Sequence, residues 1–253
     1  MFQIQLINKI RNDILVCLSL LTRIPVGKII INKKSIGDSC WAFSLCGLVI
    51  CLISSVIFHF TLKIGFNEYT ASIFFLVSNI FLSGALHEDG LADLADGMFV
   101  GKNLQSKLDI MSDSRIGVFG VLALIITFII KFLAISQLTP ELNSYLHLIL
   151  IAMVSRYNML FFLRFLGPLK KTGLGKGYRV EKNSTLLAGL LPILILLPFI
   201  YKSGLIIFIF MFIICLILFV IISTIFRGQT GDICGASQQI GEVAGLLMLT
   251  LLI

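Results

Sequence analysis

The chain has 253 residues, of which 58% are hydrophobic and only 13% are charged, and its formal net charge is +7. A soluble domain of this length does not need so much apolar sequence to build its core, so the composition excludes an ordinary soluble enzyme. The positive charge does not require a nucleic-acid partner, because basic residues also collect in the cytoplasmic loops of membrane proteins. The six cysteines contain no C-x-x-C pair and are expected to be buried free thiols.

The N-terminal segment, residues 1–39, is expected to lie in the cytoplasm or at the membrane interface. Its apolar run at 14–21 lies between Asp13 and Arg23, which leaves too few residues to cross a bilayer. We find no cleavable signal peptide pattern here. The segment is therefore interpreted as an interfacial helix or half-helix.

Longer apolar runs predict an all-α, polytopic integral membrane bundle that forms one domain over residues 1–253. Each span needs about 20 apolar residues to cross a hydrocarbon core. We expect about seven spans, the last of them short, at residues 40–62, 70–86, 117–138, 145–166, 184–200, 205–226 and 239–253.

Charge asymmetry predicts the orientation of these spans. Nearly all Lys and Arg residues outside the spans fall in segments 1–39, 87–116, 167–183 and 227–238, whereas the other side holds only Lys63 and Lys202. The positive-inside rule places the first set in the cytoplasm, so we expect a multi-pass protein of the inner (plasma) membrane with its active site on the cytoplasmic face. Lys131 is expected to snorkel outward, and Trp41 to anchor at the interface.

The stretch "ALHEDGLADLADG", residues 85–97, concentrates acidic residues in a chain that has few of them. Asp89, Asp93 and Asp96 share one helix face, where their charges repel unless a cation lies between them. Hard oxygen ligands of this kind suit Mg²⁺. The alternative is a solvated acidic loop that caps a span. His87 is a candidate for metal or phosphate contact, or an incidental residue at a helix end.

A second polar stretch, "KLDIMSDSRIGVFG" (107–120), places Asp109, Asp113 and Arg115 just before a span. Two carboxylates and an arginine suit additional metal ligands and a phosphate clamp. The alternative is ordinary helix capping by the "SDS" sequence.

A third polar stretch is "FRGQTGDICGASQQIGE" (226–242), whose glycines allow close approach of a ligand to the backbone. It is expected to be a loop that brings Asp232 over the mouth of the bundle, with Glu242 less important for turnover. A plain connecting loop is the alternative. The other candidate binding residues here are Gln229, Thr230 and Gly231.

Two further features suggest an anionic ligand. "LKKTGLGKGYR" (169–179) offers Gly173 and Gly175 among basic residues, which could cradle an anion or simply form a positive-inside loop. Arg156 lies in the middle of a predicted span, where a charge is costly and indicates function by default. Its expected partner is a phosphate or an aspartate, and a structural salt bridge is the alternative. Together these features indicate a metal-dependent site for a phosphorylated or pyrophosphorylated substrate.

The motifs, in their order along the chain, closely resemble those of the cobalamin synthase (adenosylcobinamide-GDP ribazoletransferase) family. The matching strings cover nearly the whole chain and include "LTRIPV", "ALHEDGLADLADG", "DIMSDSRIGVFG", "SR" at 155–156, "GLG" and "GQTGDICGASQQIGE". The chain departs from the family pattern at Glu88, where relatives often have an uncharged residue, and in "RGQTGD", where a paired glycine is usual.

The resemblance implies a late step of vitamin B12 synthesis, in which α-ribazole or its 5′-phosphate displaces GMP from adenosylcobinamide-GDP. Mg²⁺ is the implied cofactor, and membrane lipid surrounds the protein; no nucleic acid partner is expected, and a homo-oligomer is an open alternative. We assign Asp89, Asp93 and Asp96 to the metal. The catalytic candidates are Asp113, Arg115, Arg156 and Asp232, and the substrate-binding candidates are His87, Gly173, Gly175, Gln229, Thr230 and Gly231.

Other membrane proteins offer rival interpretations. CDP-alcohol phosphotransferases share a D-G start and a D-x-x-x-D end, but the A-R after the D-G is missing here. Intramembrane prenyltransferases use N-D-x-x-D-x-x-x-D, which is also missing. A cation-coupled transporter would place its acids near the bilayer midplane, whereas these acids are predicted at the inner edge.

Overall fold

The computed structural model describes residues 2–27, 29, 37–169, 180–196 and 198–252. These residues are almost entirely helical, and their β-pairing is limited to an isolated bridge between Pro168 and Gln229, which confirms the predicted all-α class. The helices are α1 (Phe2–Leu21), a 3₁₀ turn (Cys40–Ala42), α2 (Phe43–Lys63), α3 (Glu68–Ser83), α4 (Leu86–Val100), α5 (Leu104–Ile110), α6 (Val118–Ser136), α7 (Leu142–Phe165), α8 (Lys182–Leu196), α9 (Tyr201–Ile225) and α10 (Gly231–Thr250).

Four of the described helices are long and apolar enough to cross a membrane: α2 with its preceding turn (Gly37–Lys63), α6, α7 and α9. Helices α3 and α4 meet the same criterion only together, as a bent pair that would make a fifth span. The predicted count of about seven spans is therefore not confirmed. Helix α8 has only 15 residues, about 22 Å of rise, and the polar residues of α10 lower its hydropathy.

Helices α3 and α4 meet at a bend of 88°. Gly84 and Ala85 form the bend with φ angles of 66° and 56°, a left-handed conformation that residues with a Cβ rarely adopt. The N-terminal segment braces this bend: the Arg23 side chain packs against Gly84, and its backbone N–H donates to the Leu82 carbonyl at 2.7 Å. The bend turns α4 toward α6 and α10.

The N-terminal helix is fastened to the start of α2 through a buried aspartate. The two oxygens of Asp13 accept hydrogen bonds from Ser39 Oγ at 2.8 Å and from Trp41 Nε1 at 3.0 Å. Trp41 therefore has a hydrogen-bond partner within the protein. The sequence predicted only an interfacial anchor and did not predict this bond. The end of α1 is buried at Cys17 and Leu21, so this half of the helix belongs to the bundle.

Buried apolar side chains form two clusters, and polar residues lie between them along the helices. In α7 the second cluster ends at Val154 and the first resumes at Met159. In α10 the first cluster ends at Ala236 and the second begins at Leu246. We call the residues between them the buried polar layer; it comprises Ser155, Arg156, Gln238, Gln239 and Glu242, together with Lys131 of α6.

Lys131 does not snorkel, as the sequence suggested, because its side chain points into the polar layer. Its ammonium donates to Gln239 Oε1 at 2.7 Å and pairs with Glu242 Oε2 at 3.1 Å, and both charged side chains are almost fully buried. All six cysteines are buried free thiols, as predicted.

Candidate active site

The acidic stretch 85–97 is a helix rather than a loop. Helix α4 carries Asp89, Asp93 and Asp96 at different depths: the first is exposed, the second half-buried and the third buried. A gradient of this kind arises when one end of a charged helix faces solvent and its side packs on neighbours. The three carboxylates therefore have different environments, although the sequence assigned them one role.

Asp96 caps another helix. Its Oδ2 accepts the backbone N–H of Gly117 at 2.7 Å, and its Oδ1 accepts that of Gly120 at 2.9 Å. These amides belong to the first turn of α6, which has no partner for them within the helix and carries a partial positive charge. The sequence assigned the cap of this helix to the "SDS" residues, but Asp96 of α4 supplies it instead. Both Asp96 oxygens are engaged, which leaves it the least suited of the three to bind a metal.

Helices α4 and α10 cross in close contact through glycines. A Cβ on Gly90 would lie 2.7 Å from the Asp232 carbonyl oxygen, and one on Gly235 would lie 3.2 Å from the His87 Cα. The two helices therefore run in opposite directions with their backbones nearly touching. This contact places the Asp232 backbone against the turn of α4 that follows Asp89.

Asp232 itself lies in the first turn of α10 and not in a loop. Thr230 is the N-cap: its Oγ1 accepts the Ile233 N–H at 3.2 Å and donates to Asp232 Oδ2 at 3.2 Å. A carboxylate in the first turn is also favoured by the helix dipole. The loop expected over the mouth is replaced by a capped helix, because Thr230 is a good N-cap residue.

Two backbone hydrogen bonds to the segment 167–169 fix the residues that precede α10. Gln229 is buried, its backbone N–H donates to the Gly167 carbonyl at 2.8 Å, and its carbonyl accepts from Leu169 N–H at 2.9 Å. A Cβ on Gly231 would meet nothing within 4 Å. The backbone at Gly231 is therefore accessible, whereas the Gln229 side chain faces the interior. The predicted anion-binding glycines Gly173 and Gly175 lie outside the described residues.

Asp113 and Arg115 form an exposed pair at the edge of the site. The Arg115 side chain is 88% exposed, and its Nη2 lies 2.7 Å from Asp113 Oδ2. Hydrogen bonding to Arg115 lowers the pKa of Asp113, and the same contact raises the pKa of Arg115. Each of these two side chains has the other as its ion-pair partner.

Arg156 is buried in the polar layer, with 1% of its surface exposed. Its Nη1 donates to the Ala152 carbonyl at 3.0 Å and to Ser155 Oγ at 3.4 Å, while Nε is without a partner among the described residues. The salt-bridge alternative is not observed within the described part of the chain, where the ion pairs are those of Arg115 and Lys131. A buried guanidinium with spare donors suits a role in anion binding.

His87 is also 1% exposed, and neither ring nitrogen has a partner among the described residues. It lies in the first turn of α4 and packs against Gly235 of α10. His87 lies where α4 contacts α10, a position that is compatible with the predicted contact to substrate.

Within the described residues, no three His, Cys, Asp or Glu side chains are grouped so that they could hold a metal ion by themselves. Mg²⁺ commonly takes one or two carboxylates and completes its shell with water and substrate phosphates. The carboxylates near the crossing match that donor chemistry, since they are hard oxygen ligands from two helices.

Sequence reasoning missed the polar layer, although α10 carried a signal for it. Gln238, Gln239 and Glu242 recur at helical spacing within an apolar stretch, which is a pattern of polar residues facing a bundle interior. Glu88, noted only as a departure from the family pattern, is joined to this layer by a bond from Gln239 Nε2 at 2.9 Å.

Comparisons with known proteins agree with the motif analysis. Residues 13–250 match the family model described as cobalamin-5-phosphate synthase. Three similar proteins are each named adenosylcobinamide-GDP ribazoletransferase. The Mesorhizobium japonicum protein is 32% identical over 95% of this chain and 93% of its own length. The corresponding values are 30%, 93% and 92% for Bradyrhizobium diazoefficiens, and 32%, 95% and 97% for Clostridium tetani.

No solved structure matches the chain. The family match nevertheless spans the acidic helix α4, the Asp113–Arg115 loop and the helix α10 that packs on α4. By motif order and by similarity along nearly its whole length, the chain belongs to the cobalamin-5-phosphate synthase family.

Proposed function

We propose that this protein joins adenosylcobinamide-GDP to α-ribazole, or to α-ribazole 5′-phosphate, and releases GMP. A hydroxyl oxygen of the acceptor forms a bond to the cobinamide-side phosphorus of the pyrophosphate. The bridging P–O bond breaks, GMP leaves, and the hydroxyl proton passes to a base or to water. The product is adenosylcobalamin or its 5′-phosphate. Similar proteins that bear the ribazoletransferase name support this reaction.

The observation that carries the proposal is the glycine-lined crossing of α4 and α10. A Cβ on Gly90 would meet backbone atoms of Asp232, so the turn of α4 that follows Asp89 packs directly against the first turn of α10. A reaction at a pyrophosphate needs charge neutralisation and positioning more than covalent chemistry. An acidic, rigid crossing with backbone accessible at Gly231 fits those requirements.

Asp89, Asp93 and Asp232 are the residues that would hold Mg²⁺, with substrate phosphates completing the shell. When bound, the ion would neutralise the charge that develops on the departing phosphate. Asp96, which the sequence grouped with the metal ligands, would instead fix α6 against α4 through its two backbone bonds. Thr230 would orient Asp232 through the bond between its hydroxyl and that carboxylate.

The two arginines have separate proposed roles. Arg156 would attract an anionic group from within the bundle, since its guanidinium is buried beside the hydroxyl of Ser155. Arg115 is exposed, and an arriving phosphate would compete with Asp113 for it. Asp113 stays a candidate for the base that receives the acceptor proton, and Asp232 is the alternative base if Asp89 and Asp93 hold the metal without it.

The direct test is release of GMP by purified protein in detergent, given adenosylcobinamide-GDP, α-ribazole and Mg²⁺. We expect GMP and the cobalamin product in equal amounts, and no GMP when either the acceptor or the metal is withheld. Release of GMP without α-ribazole would indicate a hydrolase, and turnover of a CDP-alcohol or prenyl diphosphate instead would favour one of the rival enzymes.

We also propose that the site faces the cytoplasm from the inner membrane. The excess of Lys and Arg on the side of α5 supports this orientation. A cysteine replacing exposed Asn103 should react with an impermeant thiol reagent from the cytoplasmic side, and one replacing exposed Asn67 from the opposite side. The six native cysteines are buried and should give little background. Labelling of both positions from one side would contradict the orientation.

A further inference from the structure

A continuous set of hydrogen bonds connects the buried ion pair to the start of α4. Lys131 Nζ bonds to Glu242 Oε2 at 3.1 Å and to Gln239 Oε1 at 2.7 Å. Gln239 Nε2 then donates to Glu88 Oε1 at 2.9 Å. Glu88 is adjacent to Asp89, so the chain of bonds runs from the polar layer to the acidic site.

The direction of these bonds is fixed by chemistry. A lysine ammonium can only donate, so the atom of Gln239 that faces Lys131 must be its oxygen. The amide nitrogen is then directed at Glu88, and an ionised carboxylate can only accept. Lys131 therefore orients the Gln239 amide, and the amide in turn holds one oxygen of Glu88.

The Gln239 amide nitrogen has a further contact, which restrains the amide group. Its nitrogen also donates to Gln238 Oε1 at 2.9 Å, and Gln238 Nε2 donates to Glu242 Oε2 at 2.6 Å and to Ser155 Oγ at 3.2 Å. Helices α4, α6, α7 and α10 each contribute a member. In a buried environment such bonds are stronger than in water, and an unmatched member is costly.

We propose that Gln239 and Lys131 are positioning residues, which hold the first turn of α4 through Glu88 and so set the placement of the Asp89 carboxylate. This inference rests on the proposed function of the α4–α10 crossing. It also gives Glu88 a role: through Oε1 the side chain is the attachment point of α4, whereas its Oε2 is buried without a partner among the described residues.

The test is a reversal of bond polarity. Gln239→Glu keeps an acceptor for Lys131 but faces Glu88 with a second carboxylate, so kcat/KM for adenosylcobinamide-GDP should fall about tenfold or more. Glu88→Gln alone should lose less, since an amide oxygen still accepts from Gln239. The double variant Glu88→Gln, Gln239→Glu restores one donor and one acceptor between positions 88 and 239, but not the bond to Gln238 Oε1, so its kcat/KM should be at least about threefold above that of Gln239→Glu.

Gln137→Glu is the matched control, because Gln137 is an exposed glutamine at the end of α6; it should leave kcat/KM unchanged. If Gln239→Glu does not fold, Gln239→Met removes the bond to Glu88 while the Lys131–Glu242 pair stays. A Gln239→Met enzyme with wild-type kcat/KM would overturn the proposal. So would a folded double variant as impaired as Gln239→Glu.

A stability measurement separates this inference from the proposed function. Thermal unfolding of the two single variants and the double variant in detergent should show strong coupling between positions 88 and 239, whether or not GMP is released. Additive effects on unfolding would overturn the bond chain. Absence of GMP release by the wild type, with the coupling intact, would overturn the proposed reaction, and with it the positioning role.

Discussion

Helices α9 and α10 are consecutive in the sequence, but they differ in polarity and in burial. Helix α9 is almost purely apolar, and most of its apolar window is exposed on the outside of the bundle. Helix α10 carries glutamines, acids and glycines, and most of its residues are buried. In a bilayer, apolar side chains gain nothing by leaving lipid, so polar groups and small residues collect inside. The polar helix is therefore where function should be sought.

The largest effect is expected for the ion pair at the centre of α10, which reverses the sequence-based expectation that Glu242 matters less than Asp232, because Glu242 pairs with the buried Lys131. Glu242→Ala leaves the buried Lys131 ammonium without its carboxylate, and breaking a buried pair costs about 3–5 kcal/mol. We expect poor yield of folded protein and a much lower unfolding temperature. Ile213→Ala on exposed α9 is the matched control and should change little. Equal stability of the two variants would contradict the assigned difference between the helices.

Asp232→Ala tests the start of α10 rather than its centre. Loss of this carboxylate should leave the protein folded and reduce GMP release about 100-fold or more, by the loss of a ligand near the pyrophosphate. Glu141→Ala, at an exposed acid just before α7, is the comparison at matched expression and should keep its activity. If Asp232→Ala keeps most of its activity, the second half of the site lies elsewhere.

Gly90→Ala tests the contact between α4 and α10. Its new Cβ would lie 2.7 Å from the Asp232 carbonyl oxygen, so the helices must separate, and a small displacement of reacting groups can cost about 100-fold in rate. We expect at least about a tenfold loss of activity. Gly167→Ala has nothing within 4 Å of its Cβ and should be tolerated. Similar activity of both variants would show that the close crossing is not required.

The smallest effect is expected for Asp96→Asn. The amide keeps one acceptor oxygen for the first turn of α6, so the free energy of unfolding should fall by about 1 kcal/mol, as for a weakened helix cap. The Mg²⁺ concentration that gives half-maximal activity should not change, in contrast to Asp89→Asn. If Asp96→Asn raises that Mg²⁺ concentration, Asp96 is a metal ligand and the assignment as a helix cap alone is wrong.

Local sequence predicted the helical class, whereas the joint role of Asp232 and the α4 acids stays a prediction. It could not predict that Asp96 caps α6, because that contact depends on how the chain folds back between Gly97 and Gly117. Lys131 was misjudged for a similar reason: snorkelling and inward pairing look alike until the facing helix is known. The span count is not confirmed, because among the described helices α8 and α10 do not qualify as spans by length and composition.

The cap that Asp96 supplies to α6 also joins two unlike helices at one point. Asp96 precedes the first turn of α6 by about 20 residues in the chain, and its two oxygens accept two amides at the start of that helix. A helix held through both oxygens of one carboxylate cannot slide along its neighbour or rotate about its own axis without losing a bond. The acidic helix therefore sets the register and the rotation of the apolar helix that follows it.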